Sequence, residues 1–206
     1  MPSTRAVRAE TTEYTKDRIL RVAAELFMRQ GYSGTSVREI GQRAGISQSA
    51  LYHHIQSKAH LLKALHQQFI VEMIDRLETV VDTDRSAPEK LRDIVGVVMS
   101  IIESHQPEVT VFLREQHALP PAMRRSIVRQ RDRVDQLVDR VIRDGMAAGE
   151  LRSDVDVRLI RLGILGMCNW AYQWFRSGER FSSEEIAAAF GVIAIEGIVE
   201  PEPRGR

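Results

Sequence analysis

The chain is poor in cysteine. Cys168 stands alone among 206 residues, so no disulfide can close within the chain and a reducing compartment is expected. Long apolar runs are missing too. Nothing approaches the roughly 18 apolar residues of a membrane span, and the opening MPSTRAVRAETTEYTKDR has no apolar segment of signal-peptide length. These absences argue against a membrane partner and predict a cytoplasmic protein. Period-two alternation, tandem repeats and low-complexity stretches are also lacking, which leaves little room for sheets or solenoids.

The residues able to do chemistry lack the spacing that catalysis or metal binding requires. His53 and His54 are adjacent, so on a helix they point in different directions. The i, i+4 histidine pair with an acidic neighbour that marks a zinc helix is missing. No serine, cysteine or carboxylate is grouped around them as a nucleophile or base. The expectation is no enzyme, no metal and no cofactor.

What is present is an ordinary globular balance, 43% apolar and 28% charged. Its net charge of +1 is unevenly spread. Residues 1–60 carry nine Lys and Arg against five Asp and Glu, while residues 61–206 carry twenty against twenty-three. A basic first third on a mildly acidic remainder points to an anionic partner for the N-terminal part.

Helical periodicity runs through the chain. Residues 1–10 read as a loose basic arm, and from Thr15 the positions Ile19, Val22, Ala23, Leu26 and Phe27 follow a helical pattern. Gly31 should stop that helix as a left-handed cap. Thr35 or Ser36 can cap a second short helix that ends at Gly45, and Ser47 a third running to about Ile55. Ser57 opens a fourth with a long apolar stripe from Leu61 to Leu77. Pro88 suits the first turn of the next helix, and Pro107 and Pro120-Pro121 divide the chain beyond it. A long helix from Pro121 to Ala148 has an arginine-rich outer face whose interleaved aspartates predict self-pairing. A last pair should span Val155–Arg176 and Ser182–Val199. The fold class is all-α with about nine helices, divided into residues 1–60 and 61–206.

Two short helices joined by Ala44-Gly45-Ile46 have the dimensions of a helix-turn-helix. The second would present Gln48, Ser49 and Ala50 at its start, where recognition helices meet base edges. Gln48 can pair bidentately with adenine, and Ser49 can bond a base or a phosphate. Tyr52 and His53 sit where they could reach phosphate oxygens. Lys58 adds charge beside a helix N-terminus. His54 is left to pack within the domain.

GYSGTSVREIGQRAGISQSALYHHIQSK is similar to the helix-turn-helix signature of the TetR family of one-component transcriptional regulators, over about residues 12–62. The resemblance implies a three-helix DNA-binding head with a fourth connecting helix, followed by a helical ligand-binding and dimerisation bundle. It places Thr35, Gln48, Ser49, Tyr52, His53 and Lys58 at DNA-contact positions. The sequence departs from the pattern at Ile55, where an aromatic is usual, at Gly41, where alanine is usual, and at Ala59-His60, where acidic residues are common.

The segment CNWAYQWFRSGERFSSEEIAAAFGVIAIEGI, residues 168–198, holds both tryptophans of the chain. Asn169 and Gln173, and likewise Trp170 and Trp174, lie one helical turn apart and should form neighbouring polar and aromatic stripes. The stripe can border a pocket or a subunit interface. The stretch resembles the C-terminal part of TetR regulators that respond to acyl-CoA thioesters in lipid or steroid catabolism. That resemblance implies a homodimeric regulator, a repressor on a palindromic double-stranded operator, with a small-molecule effector. Phe112, Arg114, Gln116, Asn169, Trp170, Gln173, Trp174 and Arg176 are the candidate effector residues. A drug-responsive efflux-gene repressor, and from another class a helical metabolite-binding protein or enzyme, are the alternatives. Cys168 reads as a small buried hydrophobe.

Overall fold

A computed structural model describes the backbone of residues 4–196 and 198, and the side chains from residue 15 onward. Among the described residues the fold is all-α, with nine helices. They are α1 (Thr4–Gly34), α2 (Val37–Arg43), α3 (Gln48–His54), α4 (Lys58–Val81), α5 (Ala87–Ser104), α6 (Gln106–Glu115), α7 (Pro121–Ala147), α8 (Val157–Trp170) and α9 (Ser183–Ile195). Two 3₁₀ turns, Gln116–Ala118 and Ala171–Gln173, follow α6 and α8. The chain divides into two compact units, Met1–Gln68 with Pro107–Arg124, and Phe69–Gln106 with Arg125–Arg206.

In the first unit, α1 begins at Thr4, so the loose arm expected over residues 1–10 is helical from that point. No glycine or proline interrupts Thr4–Gln30, and the alanines, arginines and glutamates there favour continuation more than their charge opposes it. The break comes at Gly31, with φ 76° and ψ 163°, an extended positive-φ conformation open only to glycine and not the left-handed helical cap expected. Ile19, Ala23, Leu26 and Phe27 of α1 are buried together with Leu61, Leu62 and Leu65 of α4.

In the second unit, α5 packs against α8 and α9. Its apolar stripe Leu91, Ile94, Val95, Val98, Ile101 and Ile102 is fully buried. A capping box fixes its start, with Glu89 Oε2 accepting the Ser86 N–H at 3.0 Å. Another fixes α9, where Ser182 N–H donates to Glu185 Oε2 at 2.8 Å.

Three arginines of the outer face of α7 are ion-paired, and the acid comes partly from α4 and the residue after it, not from α7 alone. Arg133 Nε bonds Glu78 at 2.9 Å and Arg140 reaches Asp82 at 3.1 Å, while Arg143 pairs with Asp139 of its own helix at 3.2 Å. Deeper in, Arg161 of α8 bridges Asp135 at 2.6 Å and Asp139 at 2.7 Å, with only 11% of its side chain exposed.

Cys168 is fully buried, and burial pushes its thiol pKa up to about 12, so it stays a protonated apolar group near neutral pH. Among the described residues, no helix is long and apolar enough to cross a membrane. Nor is any group of three or more His, Cys, Asp or Glu among them placed to hold a metal ion.

Candidate nucleic-acid interface

The geometry of α2 and α3 follows from local chemistry. Ser36 Oγ accepts the Glu39 N–H at 3.1 Å and Ser47 Oγ the Ala50 N–H at 3.3 Å, each satisfying a donor left open at a helix start. Between them the corner is a Schellman turn. Gly45 N–H bonds Gln42 O at 3.1 Å and Ile46 N–H bonds Gly41 O at 3.0 Å, with Gly45 at φ 63°. This double closure fixes the angle at which α3 leaves α2.

Leu51 anchors α3, its side chain entirely excluded from solvent, a burial that contributes about 1.5–3 kcal/mol. Gly41, a departure from the family pattern, makes room for it. A methyl at position 41 would lie 2.9 Å from Leu51 Cδ2, so an alanine there would require the Leu51 side chain to shift. With Leu51 turned inward, Gln48, Ser49, Tyr52 and His53 share the opposite face, and all four are exposed. They sit at i, i+1, i+4 and i+5, a continuous strip along seven residues. Tyr52 is 53% exposed despite its size. His54 is half-buried beside this strip, its ring 5.6 Å from that of His53.

Thr35 and Lys58 are placed differently. Thr35 is buried and its Oγ1 donates to Gly31 O at 2.9 Å. Lys58 Nζ donates to Tyr32 O at 2.6 Å and Thr35 O at 2.8 Å, and lies 4.3 Å from the centre of the Tyr32 ring. The structure thus brings four of the six candidate contact residues onto one solvent face and holds the other two within the loop that precedes α2. Sequence reasoning passed over one partner of that loop. Glu115, at the end of α6, accepts the Tyr32 N–H through Oε1 at 3.2 Å. Tyr32 has a raised pKa, first through burial and then through the Glu115 carboxylate. No sequence signal links residues 83 positions apart.

The candidate effector residues divide between the units. In the first, Phe112 is buried with its ring 4.2 Å from that of His66, Arg114 is exposed, and Gln116 is half-buried with Nε2 3.4 Å from Leu113 O. In the second, the expected single helix over 155–176 ends at Trp170. There Ala171–Gln173 tightens into a 3₁₀ turn, with the Trp174 N–H bonding Ala171 O at 3.1 Å, and beyond it the Phe175 carbonyl accepts from Gln106 Nε2 at 2.5 Å and Arg176 Nη1 at 2.7 Å. The two stripes therefore cross from α-helix into a 3₁₀ turn. Asn169 and Arg176 are exposed, and Gln173 bonds the Tyr172 hydroxyl. Trp170 and Trp174 are 63% and 45% exposed, the latter edge-on to Phe190 at 6.3 Å.

A short capped helix fixed at a glycine corner, with a polar strip facing solvent and an apolar anchor beneath, defines a helix-turn-helix reader of double-stranded DNA. Comparison with known proteins agrees. Residues 19–65 match the family described as bacterial regulatory proteins, tetR family, and residues 84–198 match the tetracyclin repressor-like C-terminal domain. The chain belongs to the TetR family of DNA-binding regulators, which are not enzymes. It is 28% identical over 189 residues to the HTH-type transcriptional repressor KstR2 of Mycolicibacterium smegmatis, covering 91% of this chain and 92% of that one. The structure of the ketosteroid transcriptional regulator KstR2 of Mycobacterium tuberculosis superposes with a TM-score of 0.82 at 25% identity, over 90% of this chain and 95% of the other. AibR, solved with isovaleryl coenzyme A and operator DNA, superposes with a TM-score of 0.77 at 26% identity, over 88% and 98%.

Proposed function

We propose that the protein is a homodimeric repressor that holds a near-palindromic operator through α3 of each copy and is released by a coenzyme A thioester from lipid or steroid breakdown. The observation that carries the DNA half is the exposed strip Gln48, Ser49, Tyr52 and His53 on a helix locked by Leu51. In this reading Gln48 and Ser49 meet base edges and Tyr52 and His53 grip phosphates. Thr35 and Lys58 act one step back by fixing the loop before α2. Two heads in successive major grooves would lie about 34–36 Å apart.

The effector half is supported by the likeness to KstR2 and to AibR, the latter solved with a coenzyme A thioester. Arg176, exposed just past the turn that follows α8, is the cation we assign to the phosphates of such a ligand. Asn169, Trp170, Gln173 and Trp174 of the same unit are assigned to its acyl and polar parts. Release requires that the thioester bind the DNA-free state more tightly than the DNA-bound one.

The test begins by recovering genomic fragments that the purified protein retains, then measuring fragment binding against salt and against acyl-CoAs, free coenzyme A and cationic drugs. Both tryptophans lie in the assigned region, so their fluorescence reports occupancy directly. Release by thioesters alone, with a steep salt slope, supports the proposal. Retention of no fragment overturns the DNA half, and release by cationic drugs but by no thioester overturns the effector half.

A further inference from the structure

We propose that the DNA-reading head carries its own binding site for a small amphipathic carboxylate, distinct from the coenzyme A effector. α1, the α3–α4 corner and the start of α4 enclose a cavity of about 210 Å³. Its floor is Ile19, Leu20, Ile55 and Leu61, each under a tenth exposed. Its rim carries Lys16, His54 and His60, with the Gln56 amide, and none of its lining residues is acidic. An apolar floor beneath a ring of donors and one fixed cation suits a ligand with a ring or short alkyl body and a carboxylate at one end.

Size narrows the class. The space exceeds the roughly 150 Å³ apolar cavity that takes benzene and falls below the roughly 300 Å³ at which drug-sized pockets begin. A coenzyme A thioester is far too large, whereas an aromatic or branched short-chain acid fits. His60 is held ready for such a group. Ser57 Oγ accepts the His60 backbone N–H at 3.3 Å and lies 2.9 Å from the ring Nδ1. This pairing holds the ring through Nδ1 and leaves Nε2 as the ring nitrogen that can meet a ligand. His54 and Ile55 end α3, so an occupant touches the end of the helix assigned to base reading.

The test is calorimetric titration of the full chain with benzoate, benzyl alcohol and acetate. The expected result is one benzoate per chain, bound at least about tenfold more tightly than either the neutral ring or the bare carboxylate. Lys16→Met should weaken benzoate about tenfold and leave benzyl alcohol unchanged. Ala64→Phe, which fills the cavity from α4, should abolish benzoate binding. Neither residue is in the strip assigned to DNA, so both variants should keep fragment binding, and failure here leaves the effector proposal standing. Equal affinity for benzoate and benzyl alcohol, benzoate affinity unchanged by Lys16→Met, benzoate binding retained in Ala64→Phe, or no benzoate binding at all would overturn the proposal.

Discussion

Lys58 can be read in two ways that make opposite demands on one substitution. As a phosphate clamp it would face DNA, and Lys58→Met would reduce the slope of log K against log salt by about one. In the structure its ammonium donates at 2.6 Å to Tyr32 O and at 2.8 Å to Thr35 O, and sits 4.3 Å from the Tyr32 ring. Hydrogen bonds from a charged donor contribute roughly 1.5–3 kcal/mol each when well formed. The residue is half-buried, so solvent screens the charge, and the freed carbonyls can partly rehydrate. Methionine also keeps the aliphatic stem over the ring, which retains most of the packing. The expected cost is therefore about 2 kcal/mol, below the sum of its parts, and at this chain length that lowers the thermal midpoint by about 4–8 °C. The assay pairs a melting curve with fragment binding at a series of salt concentrations. A loss of stability with an unchanged salt slope is expected. A slope reduced by about one with an unchanged midpoint would refute the reasoning and return Lys58 to the phosphate set.

Three further outcomes are expected. Gly145→Ala should destabilise by about 2–3 kcal/mol in urea titration, because the added methyl would lie 2.4 Å from Ala87 Cβ and 2.8 Å from Leu151 Cδ1, outweighing a helix-propensity gain of about 1 kcal/mol. Glu72 has a pKa held below its ordinary value, chiefly by the hydrogen bond from His105 and next by that residue's charge. Its contribution is present above the unfolded carboxylate value of 4.5 and lost as pH falls through the lower folded value. His105→Ala should move the Glu72 titration upward in a carboxyl NMR series. Arg161→Met should cost about 1–3 kcal/mol at neutral pH, since it removes the shared partner of Asp135 and Asp139 and leaves Asp139 with Arg143 alone. Denaturant midpoints of the variant and the parent chain read that loss.

The head was legible in the sequence because its determinants are local. Ser36 and Ser47 cap helices three residues ahead of the N–H they accept, and Gly45 and Ile46 close on residues three and five positions back. Capping, corner and anchor all agree, and such agreement across levels makes a short motif readable. What was hidden depended on chain brought from far away. Lys58 meets carbonyls 26 and 23 residues earlier, Glu115 meets an N–H 83 residues earlier, and Gln106 takes a carbonyl 69 residues later. The last of these holds the chain beyond α8, which stops at Trp170 although periodicity by itself predicts a helix to Arg176. The start of α1 at Thr4 is hidden for another reason. Positive charge near a terminus suggests a loose arm, although nothing in those residues breaks a helix.

The body raises a different question, about which face of a helix is covered and by what. After Glu185, α9 runs IAAAFGVIAI with no polar residue. A surface helix keeps a polar face, and one that is apolar all round is covered all round. α5 covers one side, where Ile186, Gly191 and Ile195 are buried. Val192 and Ile193 face away from it at 51% and 68% exposure, and on α8 Leu159 and Leu162 are likewise exposed. Beside them, Leu159, Ile160, Gly163, Ile164 and Met167 of α8 and Ala194 of α9 line an apolar groove. Apolar residues scattered singly over a surface call for no explanation, but a contiguous set on two adjoining helices does. No segment of the described chain covers it. A second copy presenting the same two helices would, and a two-fold interface needs only that one self-complementary patch. The composition of α9 and the bare faces of α8 beside it therefore point to one two-fold assembly of copies of this chain.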